Sequence, residues 1–293
     1  ANSFMQRPVG SDPASAGAAR LLLNDFGALV FNPKAWLAFP HTILAGLTTA
    51  AFFVMGISAY HLLKKQHVEV FARSFRIALM FGLVFSFFEV AEGHLHGADL
   101  AHSQPAKLAA LDAHWETSTR APLYFFAIPD DKNERNILEI GKVPGGLSLM
   151  AYHDFNAEVK GLRDFPKEDR PPVWPVFISF RGMVGLGALF ILLTVVGWFK
   201  RNRLVESPLY LKAMMFAIPL PYIAIEMGWI VAEVGRQPWI VYGVMRTSDA
   251  VSPISTPQVF ASLIAFILVY GFLGAIGFYL IFKNAKKGPK LAH

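Results

Sequence analysis

The stretch "EMGWIVAEVGRQPW", residues 226–239, sets two carboxylates and a guanidinium into the end of an apolar run. Glu226 and Glu233 are seven residues apart, two helical turns, so a helix carries both on one face with Trp229 between them. Ionisable groups in a membrane helix are costly, and that face is expected to avoid lipid. A hydrogen-bonded carboxyl pair joining helices, a proton route and a carboxylate beside an iron all answer that demand, and spacing leaves the choice open. Arg236 follows one turn after Glu233. With Trp239 it makes a helix terminus suited to an anionic cofactor or a quinol.

Histidine and methionine supply a second set of candidates. His41 lies about a turn and a half beyond Trp36, and Met183 stands roughly 10 Å into a later apolar run at 1.5 Å per residue, so the two sit at similar depth. A His/Met pair makes a low-spin haem of raised potential, suited to electron transfer. A histidine bonded to a neighbouring helix and a methionine used for packing are the ordinary alternatives. Arg181, two residues before Met183, needs a partner or water, and a propionate or the outer interface would serve. Gly182, Gly185 and Gly187 allow a flat macrocycle or another helix to approach closely. His61, beside Lys64, reads as an interfacial residue. His94 and His96 of "GHLHG" stand at an expected helix end, where hydrogen bonding within a loop explains them better than a two-ligand metal site.

The elements that must position these groups are membrane helices. Hydrophobic residues make up 54% of the 293 and charged ones 16%, too greasy for an ordinary soluble domain. Five apolar runs reach the roughly 20 residues that a crossing needs: 36–63, 77–92, 176–199, 213–234 and 257–282. Lys64, Lys65, Arg73 and Arg76, then Lys200, Arg201, Arg203 and Lys212, then Lys283, Lys286, Lys287 and Lys290 fall on one side of these spans. Basic residues favour the cytoplasm, which puts the C-terminus inside and the long segment 93–175 outside. The net charge of +6 is thereby spent on topology, and no nucleic-acid partner is expected. Absence of cysteine excludes disulfides and thiolate sites. Within the long segment, "QPAKLAALDAHWET" reads as a short helix with Pro105 in its first turn. The expected organisation is an outer end at 1–35, two spans within 36–92, an extracytoplasmic loop at 93–175, three spans within 176–283 and a tail at 284–293.

"GWIVAEVGRQPWIVYGV", "FPHT", "SFRGMVG", "QPAKLAALDAHWET" and the opening "ANSFMQRPVG" together resemble the large subunit, subunit I, of cytochrome bd-type quinol oxidases over essentially the whole chain. The resemblance implies an all-α membrane protein of nine spans, of which the five here would be the fifth to ninth. His41 and Met183 take the places of the low-spin haem b ligands, Arg181 that of the arginine beside it, and Glu233 that of the acid at a high-spin haem. Trp229 joins the cofactor-binding set, and Glu233 with Arg236 the catalytic one. Lys107 matches a lysine of the quinol-binding loop, and Asp112 stands where the family has a glutamate, with the same charge on a shorter reach. High-spin haem b and haem d are expected in the assembled complex. Expected partners are quinol, oxygen, a second oxidase subunit and four N-terminal helices from a separate chain or from the rest of the same subunit. The expected place is the inner membrane of a prokaryote. A haem-free proton-coupled transporter half and a structural partner subunit are the competing readings.

Overall fold

The computed structural model describes residues 1–12 and 22–289. Helices dominate: α1 Asn2–Gln6, α2 Phe26–Val30, α3 Pro33–Leu63, α4 Val68–Ser103, α5 Pro105–Leu111, α6 Gly146–Tyr152, α7 Val173–Lys200, α8 Pro208–Phe216, α9 Leu220–Glu233 and α10 Thr256–Lys287. Eight short strands form two-stranded antiparallel pairs: β1 Ser11–Asp12 with β2 Leu22–Leu23, β3 Ser118–Thr119 with β6 Glu158–Val159, β4 Leu123–Asp130 with β5 Arg135–Val143, and β7 Trp239–Val241 with β8 Met245–Arg246. Among the described residues, five helical segments are long and apolar enough to cross a membrane. They contain α3, α4, α7, α8 with α9, and α10, as the hydropathy runs predict.

Two of these differ in extent from the sequence reading. The second was expected to end at Glu92, but α4 runs on to Ser103, so the connecting segment before α7 starts at Gln104. Helix persists there because its last turns bury Leu100 and Ala101 in a core that the connecting segment itself supplies. Tertiary burial replaces the lipid that the apolar pattern stopped signalling. The fourth run is not one helix but two. Pro219 and Pro221 each lack an amide donor, and α8 stops at Phe216 before α9 begins at Leu220.

Side-chain packing divides into two cores. One lies within the bundle, where α3 runs along α4, α8 lies on α3, and α7 sits between α4 and α9. Phe52, Met55, Phe75, Leu79 and Met214 fill it. Gly56 is required there, since a Cβ would come within 2.2 Å of Ile218 and 3.1 Å of the Met214 carbonyl. The other core belongs to the connecting segment. Leu108, Leu111, Trp115, Tyr124 and Leu162 pack there against Leu100 of α4 and Val176 and Phe177 of α7. The β4–β5 hairpin caps this unit, pairing Leu123 with Val143 through Asp130 with Arg135.

One end of the bundle carries the basic connections. Arg76 Nε donates to the Arg201 carbonyl at 2.9 Å, and His61 Nε2 lies 2.7 Å from the Ala285 carbonyl. The first contact joins the α4 start to the α7 end, and the second joins the α3 end to the α10 end. Helix α10 otherwise stands apart: none of its residues is buried.

Candidate functional site

The end of the bundle opposite the basic connections is where the connecting segment, α7 and α9 converge. Helix α5 starts on Pro105, whose missing amide donor is harmless in a first turn, and all but that first residue are buried. Lys107 is therefore enclosed, 4% exposed, and its Nζ donates to the Ala232 carbonyl of α9 at 3.1 Å. Gln6 of α1 adds a contact at 3.4 Å through its Oε1. Burial pushes the Lys107 amine down to about 7, with Lys34 and Arg236 acting in the same direction and Glu233 opposing. The amine can thus change protonation near neutral pH.

The glycine of the "GRQP" motif explains how Lys107 gets so close. A Cβ at Gly235 would stand 2.9 Å from Lys107 Cε and 2.4 Å from the Val231 carbonyl. Next to it, Arg236 is 4% exposed, donates to the Ile240 carbonyl at 2.6 Å and pairs with Glu233. Asn2 donates to the second oxygen of Glu233. Gln237 completes the turn, donating to the Glu233 carbonyl at 3.3 Å and accepting from Thr247 at 2.7 Å. Glu233 and Arg236 are thus joined as a pair. Glu226, two turns back, is exposed and makes no hydrogen bond or ion pair with a described residue, and Trp229 is exposed as well. The face they share lies open in this chain.

Asp112, the residue that closes α5, meets Arg181 of α7 at 2.5 Å. Both side chains are nearly enclosed, at 4% and 12% exposure, and the guanidinium also lies over Phe177 and Phe180, 5.1 and 5.4 Å from the ring centres. This contact spans 69 positions in sequence and ties the connecting segment to the helix that carries Met183.

The structure seats His41 and Met183 in different surroundings. Met183 packs against α9, its sulfur 3.2 Å from where a Cβ at Gly228 would lie, and Met227 packs in return against Gly182. His41 faces α4. Its Nδ1 lies 2.6 Å from Glu92 and 3.4 Å from Glu89, at ion-pair distance but without hydrogen-bond alignment. His96 meets the imidazole edge-on at 5.5 Å between ring centres. One ligand atom each from His41, Glu92 and His96 lie within 4.8 Å of one another. An apolar groove of about 650 Å3, lined by Pro40, Ile43, Phe88 and Leu95 among others, runs alongside.

Glu89 and Glu92 did not enter the sequence reading. The signal was present: Glu89, Glu92 and His96 follow at i, i+3 and i+7, one face of a helix. His94 and His96, read together as a motif at a helix end, lie inside α4 instead. Two residues apart on a helix, they point to different sides. His94 reaches His153, with 2.9 Å between the two Nε2 atoms.

Several groups here can hold an anionic, flat cofactor. Among the described residues, Arg181 Nε and Arg236 Nε are buried without hydrogen-bond partners, as are Glu89 Oε2 and both Glu92 carboxylate oxygens. A carboxylate brought by a cofactor would complete the two guanidiniums. With Nδ1 of His41 facing Glu92, Nε2 is the nitrogen left to ligate. A Cβ on Gly185 would meet nothing within 4 Å, so that exposed side of α7 is uncovered in this chain.

Residues 1–289 match the family described as cytochrome bd terminal oxidase subunit I. The chain is 42% identical to cytochrome bd ubiquinol oxidase subunit 1 of Bacillus subtilis, with 99% of this chain and 64% of that protein aligned. Against cytochrome bd-II ubiquinol oxidase subunit 1 of Escherichia coli the identity is 30%, over 99% of this chain and 69% of the relative. The bd oxidase structure from Geobacillus thermodenitrificans superposes with a TM-score of 0.89 at 30% identity, covering 98% of this chain and 66% of that one. The chain thus spans about two thirds of the length of each. A match over nearly every residue and a shared helical architecture establish that this multi-pass chain belongs to the cytochrome bd terminal oxidase subunit I family.

Proposed function

We propose that this chain is the quinol-oxidising, haem-bearing part of a bd-type oxidase of a prokaryotic inner membrane. It works with a second oxidase subunit and with further helices of subunit I. Haem b held by His41 Nε2 and the Met183 sulfur would supply one-electron acceptance at a raised potential, while high-spin haem b and haem d in the assembled complex would supply oxygen reduction. The rest of the chemistry falls to side chains. Lys107, neutral above about pH 7, accepts a proton from a quinol hydroxyl at the buried end of α5. Asp112 fixes α5 against α7 and neutralises part of the Arg181 charge. Arg181 Nε and Arg236 Nε remain to bind carboxylates of a cofactor. Glu233, held by Arg236 and Asn2 at the end of α9, is the carboxylate that would serve a high-spin iron. Glu92 faces His41 Nδ1 at ion-pair distance, which leaves Nε2 as the ligating nitrogen.

The observation that carries this reading is the Arg181–Asp112 pair. It sets Asp112 of the proposed quinol loop against the helix that carries Met183, the proposed iron ligand, and so supports a short path for electrons from quinol to haem. The test is the reduced-minus-oxidised absorbance spectrum of the assembled oxidase. Met183→Leu keeps the packing volume against Gly228 but removes the sulfur, so the low-spin band is lost or turns high-spin. An unchanged low-spin band in that variant removes Met183 from the ligand set. A wild-type oxidase with no haem b band overturns the whole reading in favour of a transporter half or a structural subunit.

A further inference from the structure

We propose that His94 and His153 form a site for a borderline divalent metal ion, of the Zn(II) or Cu(II) class, that clamps the connecting segment to α4. The two Nε2 atoms are 2.9 Å apart, with rings nearly perpendicular at 85° and centres 5.0 Å apart. Imidazole nitrogens bind such ions at about 2.0–2.1 Å, which separates two of them by about 2.9 Å at a right angle and about 3.3 Å at the tetrahedral angle. The observed spacing already equals the bite of a cis pair, and a few tenths of an ångström of opening reaches the tetrahedral one. Nitrogen donors select this class of ion, since Mg(II) and Ca(II) favour oxygen.

Both histidines stand on fixed backbone. His94 is inside the continuous helix α4. His153 caps α6 with φ +57°, a left-handed conformation uncommon for a side-chain-bearing residue, and its amide donates to the Leu149 carbonyl. The conformation is held because Tyr152, its neighbour, is tied to the same stretch of α4: its hydroxyl donates to the Ala101 carbonyl at 3.3 Å and its ring meets His102 edge-on at 5.3 Å. The pair is open to solvent, so an ion can enter and water can complete its coordination. Helix α4, 36 residues or about 54 Å long, exceeds a hydrocarbon core of about 30 Å, which carries its last turns out against the connecting segment. Neither histidine belongs to the haem-binding or quinol-binding residues, so this site is independent of the proposed electron path.

A plain N–H···N hydrogen bond between two neutral imidazoles would hold the same distance, and metal titration separates the two. The assembled oxidase in detergent, stripped with chelator, is titrated with Zn(II) by calorimetry, and proteolytic cleavage of the connecting segment is timed with and without the ion. His94→Gln and His153→Asn are the variants, asparagine being chosen because it tolerates the left-handed backbone. The wild type is expected to bind Zn(II) at least about tenfold more tightly than either variant. At a hundredfold excess over Kd, cleavage that requires the clamp to open should slow by about two orders of magnitude in the wild type alone. No Zn(II) binding to the wild type, or the same affinity in both variants, overturns the proposal. The first outcome leaves a hydrogen-bonded pair only, and the second places the ion elsewhere.

Discussion

Replacing Asp112 by asparagine removes one charge from the enclosed pair with Arg181 while keeping the size of the side chain. The two side chains are 4% and 12% exposed, so solvent screens the pair only weakly. Breaking a buried ion pair by deleting one partner costs about 3–5 kcal/mol, because the remaining charge is stranded. Here the stranded group is Arg181, whose Nε already lacks a partner. Phe177 and Phe180 keep their cation–π contacts with it and return about 1 kcal/mol. Asparagine can still accept one hydrogen bond, so a net loss of about 2–3 kcal/mol is expected in the docking of α5. At 1.4 kcal/mol per tenfold, the segment should open about 30- to 150-fold more often. Amide exchange over residues 105–111 measures this directly. Those amides should lose one and a half to two decades of protection, while the α3–α4 core around Phe52 and Phe75 keeps its own. The doubly neutral variant, Asp112→Asn with Arg181→Gln, should lose less than the sum of the two single changes. Protection unchanged within a factor of two in Asp112→Asn would refute the claim that this pair docks α5. Equal loss of protection in the α3–α4 core would point to general unfolding instead.

Three further outcomes follow from the same geometry. Lys107 is charged below about pH 7 and neutral above it, so if it accepts the quinol proton the rate of quinol oxidation falls as pH drops through 7; Lys107→Met should abolish that limb in a rate–pH profile while oxidation of an artificial donor keeps its own dependence. Glu233→Gln keeps shape and hydrogen bonding but strands Arg236; if Glu233 serves the proposed high-spin haem, that haem's spectrum or oxygen reactivity should be lost while the haem proposed at His41 remains reducible, and normal turnover would assign the carboxylate a purely structural role. Gly235→Ala should push Lys107 off the Ala232 carbonyl, since its new Cβ would lie 2.9 Å from Cε; a destabilisation of about 1–3 kcal/mol by overpacking, read as lowered thermal stability of the complex, is expected.

What sequence reveals here, and what it hides, follows the reach of each signal. Hydropathy locates the five crossings because lipid imposes the same demand on every residue of a span. That signal ends at Glu92, whereas α4 continues because Leu100 and Ala101 are buried by residues far along the chain, a fact with no local imprint. The break between α8 and α9 was legible in Pro219 and Pro221, and the β4–β5 hairpin in the alternation around Tyr124, Phe126 and Ile128 before its Asp-Asp-Lys-Asn turn. Neither was taken up by a reading tuned to apolar length. At the site, the Glu233–Arg236 contact was readable because its members are three residues apart in sequence, at the end of α9 and in the turn after it. Arg181 with Asp112, and Lys107 with Gly235, join different elements, and spacing along one sequence carries no information about such pairs.

Helix α10 has a consequence for how the molecule is made and how it tolerates change. Its 32 residues bury nothing, and its start is finished locally by a capping box between Ser255 and Gln258. At its other end Lys286 and Lys287 occupy the final turn. Its start signal and its stop signal are thus both written within the helix itself. Exchanging one large aliphatic residue for another along 259–282 should leave the folding of α3, α4 and α7 untouched. Truncation to alanine at Phe52 or Phe75, both fully enclosed, forfeits about 3–5 kcal/mol. Within this chain α10 should therefore accept changes of side-chain identity at constant hydrophobicity, whereas the inner bundle accepts changes of volume only with compensation.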